Sequence, residues 1–304
     1  MIKINIDNES GKLKSVILGI AIDFGGTPNF EDCYDPKSKA HVKEGTFPTN
    51  ESCVKEMDAL VDVFEKYDIE VFRPQNIKGL NQIFTRDIAF AVSDKLVIPN
   101  IIEDRIKEAD AIASVINKIA SEDIIRMPLS TRAEGGDVMP CNEYIFVGYS
   151  EKEDFEKYIV ARTNRSALDF LAFTFQNKIV KGFELKKSDN DPRENALHLD
   201  CCFQPIGKKM AILYRGGFKH SADVDFLVNY FGENNIIEVS KEEMYNMNSN
   251  VFSISEDIII SEKGFLRLNT ELRKRGFIVE EVSYAEIAKM EGLLRCSTMP
   301  LIRD

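Results

Sequence analysis

Four times along the chain, two short apolar runs stand either side of a polar turn. In "IAFAVSDKLVIPN" (88–100) they flank Ser93-Asp94-Lys95, and in "DVMPCNEYIFVGYS" (137–150) they flank Asn142-Glu143. "CCFQPIGKKMAILYR" (201–215) places them around Gly207-Lys208, and "NVFSISEDIIIS" (250–261) around Glu256-Asp257. Each reads as a β-hairpin. A charged segment of helical period follows each one, over 101–121, 151–176, 221–232 and 264–275. A lone strand comes next: "DIIRMPL", "KIVKGFEL", "NIIEVS" and "GFIVEEVS". Upstream, "EMDALVDVFEKY" and "DIEVFRP" supply the same helix and strand ahead of the first hairpin. The unit of helix, strand and hairpin therefore recurs four times, and a fifth begins at 264–283 without its hairpin.

The chain ends supply the missing hairpin if "LRCSTMPLI" (294–302) pairs with "KLKSVILGI" (12–20). That pairing closes five units into a ring and removes the exposed sheet edges. The expectation is one α/β-propeller domain over residues 1–304, with pseudo-fivefold symmetry. An open α/β sheet is the alternative, but strict βαβ alternation does not produce paired hairpins.

Composition is that of an ordinary globular protein, 44% hydrophobic and 29% charged. A net charge of -11 argues against nucleic acid or an anionic membrane as partner and is compatible with a cationic small molecule. No apolar run has signal-peptide or membrane-spanning length. The six cysteines (33, 53, 141, 201, 202 and 296) include no C-x-x-C pair, which fits a reducing cytoplasm. No His/Cys cluster has zinc-ligand spacing, so neither metal nor cofactor is expected. The reading leaves room for a homo-oligomer.

The residues able to do chemistry fall at one place in the repeat, the entrance to the hairpin. They are Asp87 in "FTRD", Glu134 in "AEGGDV", His198 and Asp200 in "HLDCC", Asn250 in "NSNV" and Cys296 in "LRCST". In a fivefold ring, equivalent positions converge at one end of the axis. Cys296 is the candidate nucleophile. Only a thiolate attacks well, and Arg295 or a cationic substrate is expected to lower its pKa. His198 is the candidate acid/base, since His41 lies in a polar loop and His220 starts a helix. Asp87 and Asp200 suit a bidentate clamp on a planar cation. Glu134 opens "EGGD", where glycines permit positive φ and close backbone approach, and is placed to orient His198. Asp137 is expected to tie down the turn. A thiol, an imidazole and several carboxylates point to a cationic electrophile such as a guanidinium carbon.

In this order, "FTRD", "EGGDV", "HLD" and "RCSTMPLIR" resemble the guanidino-group-modifying superfamily, which includes arginine deiminases, dimethylarginine dimethylaminohydrolases, agmatine deiminases and amidinotransferases. "ESGKLKSVILG" also resembles the first strand of arginine deiminases. The resemblance runs from about residue 9 to residue 303. It implies a five-bladed α/β propeller, or pentein, with Cys296 as nucleophile, His198 as acid/base, Glu134 as its acidic partner, and Asp87 and Asp200 on the guanidinium. Arg162 in "ARTN" resembles the arginine that grips the substrate carboxylate. The sequence departs from the family in three ways. Glu291-Gly292-Leu293-Leu294 stands where the family has a Gly-rich run, eleven residues separate Ser150 from Arg162 where the family has one, and these 304 residues are expected to leave no room for the extra helical domain of arginine deiminases. The activity implied is hydrolysis of arginine or an arginine derivative through a covalent Cys intermediate. Amidino transfer to an amine is the alternative, and a non-enzymatic binding propeller is less favoured.

Overall fold

The period-2 apolar runs form strands because each can bury at least one face, and the helical segments between them cover the outside. A computed structural model describes residues 1–304. The strands, in chain order, are β1 (Leu13–Leu18), β2 (Glu70–Phe72), β3 (Phe90–Val92), β4 (Lys95–Ile98) and β5 (Ile124–Arg126). They continue as β6 (Val138–Cys141), β7 (Tyr144–Tyr149), β8 (Ile179–Glu184), β9 (Phe203–Ile206) and β10 (Met210–Leu213). The last are β11 (Ile236–Glu238), β12 (Phe252–Ser253), β13 (Ile258–Glu262), β14 (Ile278–Val282) and β15 (Thr298–Arg303).

They make five three-stranded sheets: β15-β1-β2, β3-β4-β5, β6-β7-β8, β9-β10-β11 and β12-β13-β14. In every sheet the middle strand pairs antiparallel with its hairpin partner and parallel with the strand beyond the helix. The architecture is the five-bladed pentein propeller. The chain ends close it as expected, with Val16 opposite Pro300 and Leu18 opposite Thr298.

The entry strands β3, β6, β9 and β12 are buried at every position, whereas the third strands β2, β5, β8 and β14 are largely half-exposed or exposed and only β11 is mostly buried. The entry strands are thus the inner ones. Two of them, β6 and β9, and the closing strand β15 carry proline at their third position: Pro140, Pro205 and Pro300. Proline has no N–H for the ladder and is tolerated because each of these strands is a sheet edge. The core is divided between blades. One cluster joins Ile17 of β1, Leu96 of β4, and Met299 and Leu301 of β15. Each such fully buried side chain contributes roughly 1.5–3 kcal/mol.

The helices begin and end by local chemistry. Asp35 caps Pro36–Glu44 by accepting from the Ser38 N–H, and Gly45 closes that helix at φ 67. Thr49 and Ser52 form a reciprocal capping box on Asn50–Lys66. The expected helix over 101–121 differs. It is a 3-10 stretch, Glu103–Ile112, followed by one turn at Ala113–Ile116. The segment 151–176 is likewise broken, into Lys152–Lys157 and Arg165–Thr174.

Candidate active site

A short helical turn precedes three of the inner strands, and each turn presents a polar residue toward the axis. Asp87 lies in the turn Thr85–Ile88 before β3. Glu134 and His198 are the residues just ahead of the 3-10 turns Gly135–Asp137 and Leu199–Cys201, and Asp200 lies within the latter. Asn250 leads into β12 and Cys296 into β15. Hydrogen bonds between blades hold these turns together. The Arg86 N–H donates to the Cys296 carbonyl at 3.0 Å. Asp137 accepts from the Leu199 N–H at 2.9 Å and from the Thr163 hydroxyl at 2.6 Å, so it fastens two turns together.

Cys296, His198, Glu134, Asp87, Asp200 and Arg162 are all brought to one buried cluster, none more than 3% exposed. His198 Nε2 lies 3.0 Å from Glu134 Oε2, and its Nδ1 faces Asp87 Oδ1 at 3.7 Å. Burial alone would push the imidazole down, but the Asp87, Glu134 and Asp137 carboxylates outweigh it and hold its pKa above the ordinary 6.5. Burial likewise opposes ionisation of Glu134, yet Arg162, Arg105 and His198 hold its carboxyl well below the usual range. The Cys296 sulfur lies 3.7 Å from Asp200 Oδ2 and 3.3 Å from the Asn250 amide nitrogen. Burial, then Asp200 and Asp87, push this thiol well above 9.0.

The geometry corrects three expectations. Arg295 does lower the neighbouring thiol's pKa, but burial and the Asp200 and Asp87 carboxylates outweigh it. Its guanidinium pairs with Glu9 at 2.9 Å and Asp200 at 2.9 Å and donates to the carbonyls of Gly135, Gly136 and Val138. The glycines of "EGGD" do not need positive φ, which neither Gly135 nor Gly136 adopts. They are needed for close approach: a Cβ on Gly136 would lie 2.6 Å from His198 Nδ1. Arg162 is not a free fork for a substrate carboxylate. Nη1 donates to both oxygens of Glu134 at 3.2 and 3.1 Å, Nη2 to the Tyr34 carbonyl and Nε to the Ile159 carbonyl. The eleven-residue excursion that separates it from Ser150 returns to the same place, for the Ser150 N–H donates to the Thr163 carbonyl at 2.9 Å.

Sequence reasoning missed Arg105, Glu108 and Glu9. Arg105 Nη1 is 2.8 Å from Asp87 and 3.2 Å from Glu134, and its other nitrogens form a fork on Glu108. Asp87, Glu134 and His198 have ligand atoms within 4.8 Å of one another, a metal-like cluster, but the Arg105 guanidinium already bridges the two carboxylates. The only signal for Arg105 lay in a charged segment, "EDRIKEAD", that resembles any solvated helix face. Glu9 sits in an irregular N-terminal stretch with no periodicity.

A cavity of about 120 Å3 adjoins the cluster, lined among others by Phe84, Asp87, Arg105, Arg162, Leu197 and Glu291. Asp87 Oδ1 is buried without a hydrogen-bond partner. A larger cavity of about 540 Å3 lies elsewhere and contains none of the six candidate residues.

This fold and this cluster define a guanidino-group-modifying pentein. The family described as N,N dimethylarginine dimethylhydrolase, eukaryotic, matches residues 34–303, and the chain belongs to that family. The uncharacterized protein YkgA of Bacillus subtilis is 31% identical over 245 residues, 80% of this chain and 78% of its own length. Arginine deiminase of Bacillus cereus is 26% identical over 267 residues, and the match covers 73% of this chain and 62% of that enzyme. Among solved structures, the N-terminal domain of ArgZ, a cyanobacterial arginine dihydrolase, superposes with a TM-score of 0.78 at 17% identity, covering 95% of this chain and 98% of that one. Dimethylarginine dimethylaminohydrolase of Pseudomonas aeruginosa superposes at 0.70 with 16% identity, covering 95% and 99%. The inosamine-phosphate amidinotransferase of Streptomyces griseus superposes at 0.76 with 13% identity, covering 99% and 97%. The family places the chain among enzymes that act on guanidino groups.

Proposed function

We propose that this enzyme hydrolyses a C–N bond of a guanidinium substrate, arginine or a derivative, through a covalent intermediate on Cys296. The observation that carries the reading is the Cys296 sulfur, buried 3.7 Å from the Asp200 carboxylate with no cation committed to it. The resident charges oppose a thiolate, so the site suits an electrophile that brings its own positive charge. A guanidinium seated on Asp87 and Asp200 offsets both carboxylates and lowers the thiol pKa as it binds. The unpartnered Asp87 Oδ1 is an acceptor placed for one of its N–H groups.

The steps follow from the positions. As the guanidinium seats, the Cys296 thiol gives up its proton to solvent, and the thiolate attacks the guanidinium carbon. His198, held protonated by its carboxylate neighbours, delivers a proton to the departing ammonia or amine, leaving an amidino group on sulfur. His198 then takes a proton from water as it attacks that carbon, and collapse releases the ureido product and the thiol. Glu134 aligns the imidazole, and Arg105 and Arg162 hold Glu134 ionised. Asn250 donates to the sulfur and accepts from the Arg295 and Cys296 N–H groups at 2.9 and 3.3 Å, which orients the nucleophile.

No helix is long and apolar enough to cross a membrane. All six cysteines are free thiols, which supports a reducing, cytoplasmic setting. The test is a panel of arginine, methylated arginines, agmatine and N-acylated arginine, with and without glycine or ornithine. We expect ammonia or an amine together with a ureido product, in the absence of any acceptor. Turnover that requires the acceptor and yields a new guanidine would establish amidino transfer instead, and no turnover of any guanidine would refute the reading.

A further inference from the structure

The cavity of about 540 Å3, apart from the candidate cluster, is lined by charged groups of two kinds. Arg267 forks onto Glu243 at 2.6 and 2.7 Å, and Lys289 pairs with Glu286 at 2.5 Å, so both are neutralised in place. Lys37 and Glu262 are 4% and 5% exposed, and neither forms an ion pair. Lys37, in the helix Pro36–Glu44, donates from Nζ to the Tyr245 carbonyl at 2.6 Å, and the Glu291 carboxylate meets only its backbone N–H, at 3.4 Å. An ammonium has three donors, so two remain. Glu262 ends β13, and its Oε2 accepts from the Gly264 N–H at 2.5 Å.

Buried charges without partners are costly, and the cost shows at both ends. Burial pushes the Lys37 ammonium down to about 8 and the Glu262 carboxyl above its ordinary range. The two line one cavity without pairing with each other. A ligand with an anionic and a cationic end would satisfy both. Asn248 points to a ligand independently. It is 4% exposed and lines the cavity, and its backbone N–H donates to the Glu243 carbonyl, but its side-chain amide, a donor and an acceptor, has no partner in the protein. The cavity also touches the loop that carries Cys296. Leu293 lines it, and the Leu293 carbonyl accepts from the N–H and the hydroxyl of Ser297 at 3.1 and 2.8 Å.

We propose that this cavity is an effector site for a small zwitterion, an amino carboxylate whose carboxylate meets Lys37 and whose ammonium meets Glu262, and that its occupancy alters the reactivity of Cys296 through the Leu293–Ser297 contact. The Asn248 amide supplies a further hydrogen bond to the ligand, and Phe265, Ala288 and Leu293 enclose its carbon skeleton.

The test is isothermal titration calorimetry of the wild-type protein with glycine, L-leucine and 4-aminobutyrate, which differ in charge separation and apolar bulk. L-leucinamide and 4-methylpentanoate, each with one charge, are the controls. We expect saturable binding of at least one zwitterion with Kd about millimolar or tighter. Its singly charged controls, and the variants Lys37→Met and Glu262→Gln, should each bind about tenfold more weakly or worse, the worth of one charge-assisted contact. Asp87→Asn, in the candidate active site, should bind it as the wild type does. At saturation the rate of Cys296 alkylation by iodoacetamide should change by about fivefold or more. No saturable binding of any zwitterion overturns the inference, as does equal binding of the controls, and this comparison needs no variant to fold. Loss of binding in Asp87→Asn would place the ligand in the active site and overturn it too. An unchanged alkylation rate at saturation refutes the effector role. None of these readouts depends on turnover, so they stand or fall apart from the hydrolase reading.

Discussion

At the scale of single residues, the site is a set of carboxylates tuned against three arginines, Arg105, Arg162 and Arg295, and one imidazole. Asp87→Asn and Asp200→Asn each remove a charge from the proposed clamp, and kcat/KM is expected to fall by at least about tenfold to a hundredfold, the worth of one hydrogen bond to a charged group. Turnover near the wild-type level in a folded variant would remove that residue from the clamp. His198 gives a pH prediction. Its pKa is raised above 6.5 in the folded protein. Its contribution to stability is therefore fully present below the unfolded value and is lost as pH rises through the folded one. The stability gap between the wild-type protein and His198→Gln, measured by urea unfolding, should be larger at about pH 5.5 than at about pH 8.5. A gap that grows with pH would contradict the charged imidazole. Cys296, His198, Asp87, Asp200 and Glu134 were legible because each is a rare or charged residue ahead of an apolar strand. The conformation of Arg295 was not, since neighbours in sequence do not reveal which way a long side chain turns. Arg295 crosses to Glu9, 286 positions away.

At the scale of elements, the short turns before the inner strands decide the geometry, and glycine makes them compact. Gly136 has no room for a methyl group beside His198 Nδ1 and Asp87 Oδ1, the latter 3.0 Å from a Cβ built there. Gly136→Ala should push the imidazole aside and lower kcat by about 100-fold, the usual cost of a displacement near 1 Å. Gly45→Ala is the control. Its φ of 67 is unfavourable for alanine, but nothing lies within 4 Å of the added carbon. It should lose about 1 kcal/mol of stability with kcat unchanged. Equal effects of the two on kcat would show that Gly136 is not a positioning element. The hairpins and their turns were readable from alternation and from polar pairs such as Asn142-Glu143. The broken helices were not, because Glu103–Ile112 carries the charge pattern of a solvated α-helix while Arg105 and Glu108 turn inward.

At the scale of the whole molecule, the two chain ends share one blade, and the candidate nucleophile stands at its entrance. Closure brings Cys296, which leads into β15, to the same end of the ring as the turns before β3, β6 and β9. Leu301 of β15 is fully buried in the cluster that joins the closing blade to β3 and β4. Leu301→Ala should therefore cost about 2–5 kcal/mol in global unfolding, whereas Leu266→Ala, at a position 74% exposed, should cost under about 0.5 kcal/mol. Similar values for the two would mean that the closing strand does not bear on the stability of the ring. The fivefold repeat was visible because its unit of helix, strand and hairpin is long and regular.

Peptide mapping after treatment with 2-chloroacetamidine, alongside neutral iodoacetamide, tests the assignment of the nucleophile most directly. Cys201 and Cys202 are the informative competitors. They end the 3-10 turn before β9 and join different apolar clusters, Cys201 the largest one and Cys202 its neighbour. Burial and Asp200 push the Cys201 thiol well above 9.0, as they do Cys296, and the two sulfurs lie on different oxygens of that carboxylate, Cys201 3.8 Å from Oδ1 and Cys296 3.7 Å from Oδ2, but Asp87 bears on Cys296 and Asn250 donates to its sulfur. The cationic reagent should label Cys296 alone, faster than iodoacetamide does at neutral pH, with loss of activity in proportion to labelling. Modification of Cys201 or Cys202 in preference to Cys296, or full activity in Cys296→Ala, would contradict the mechanism.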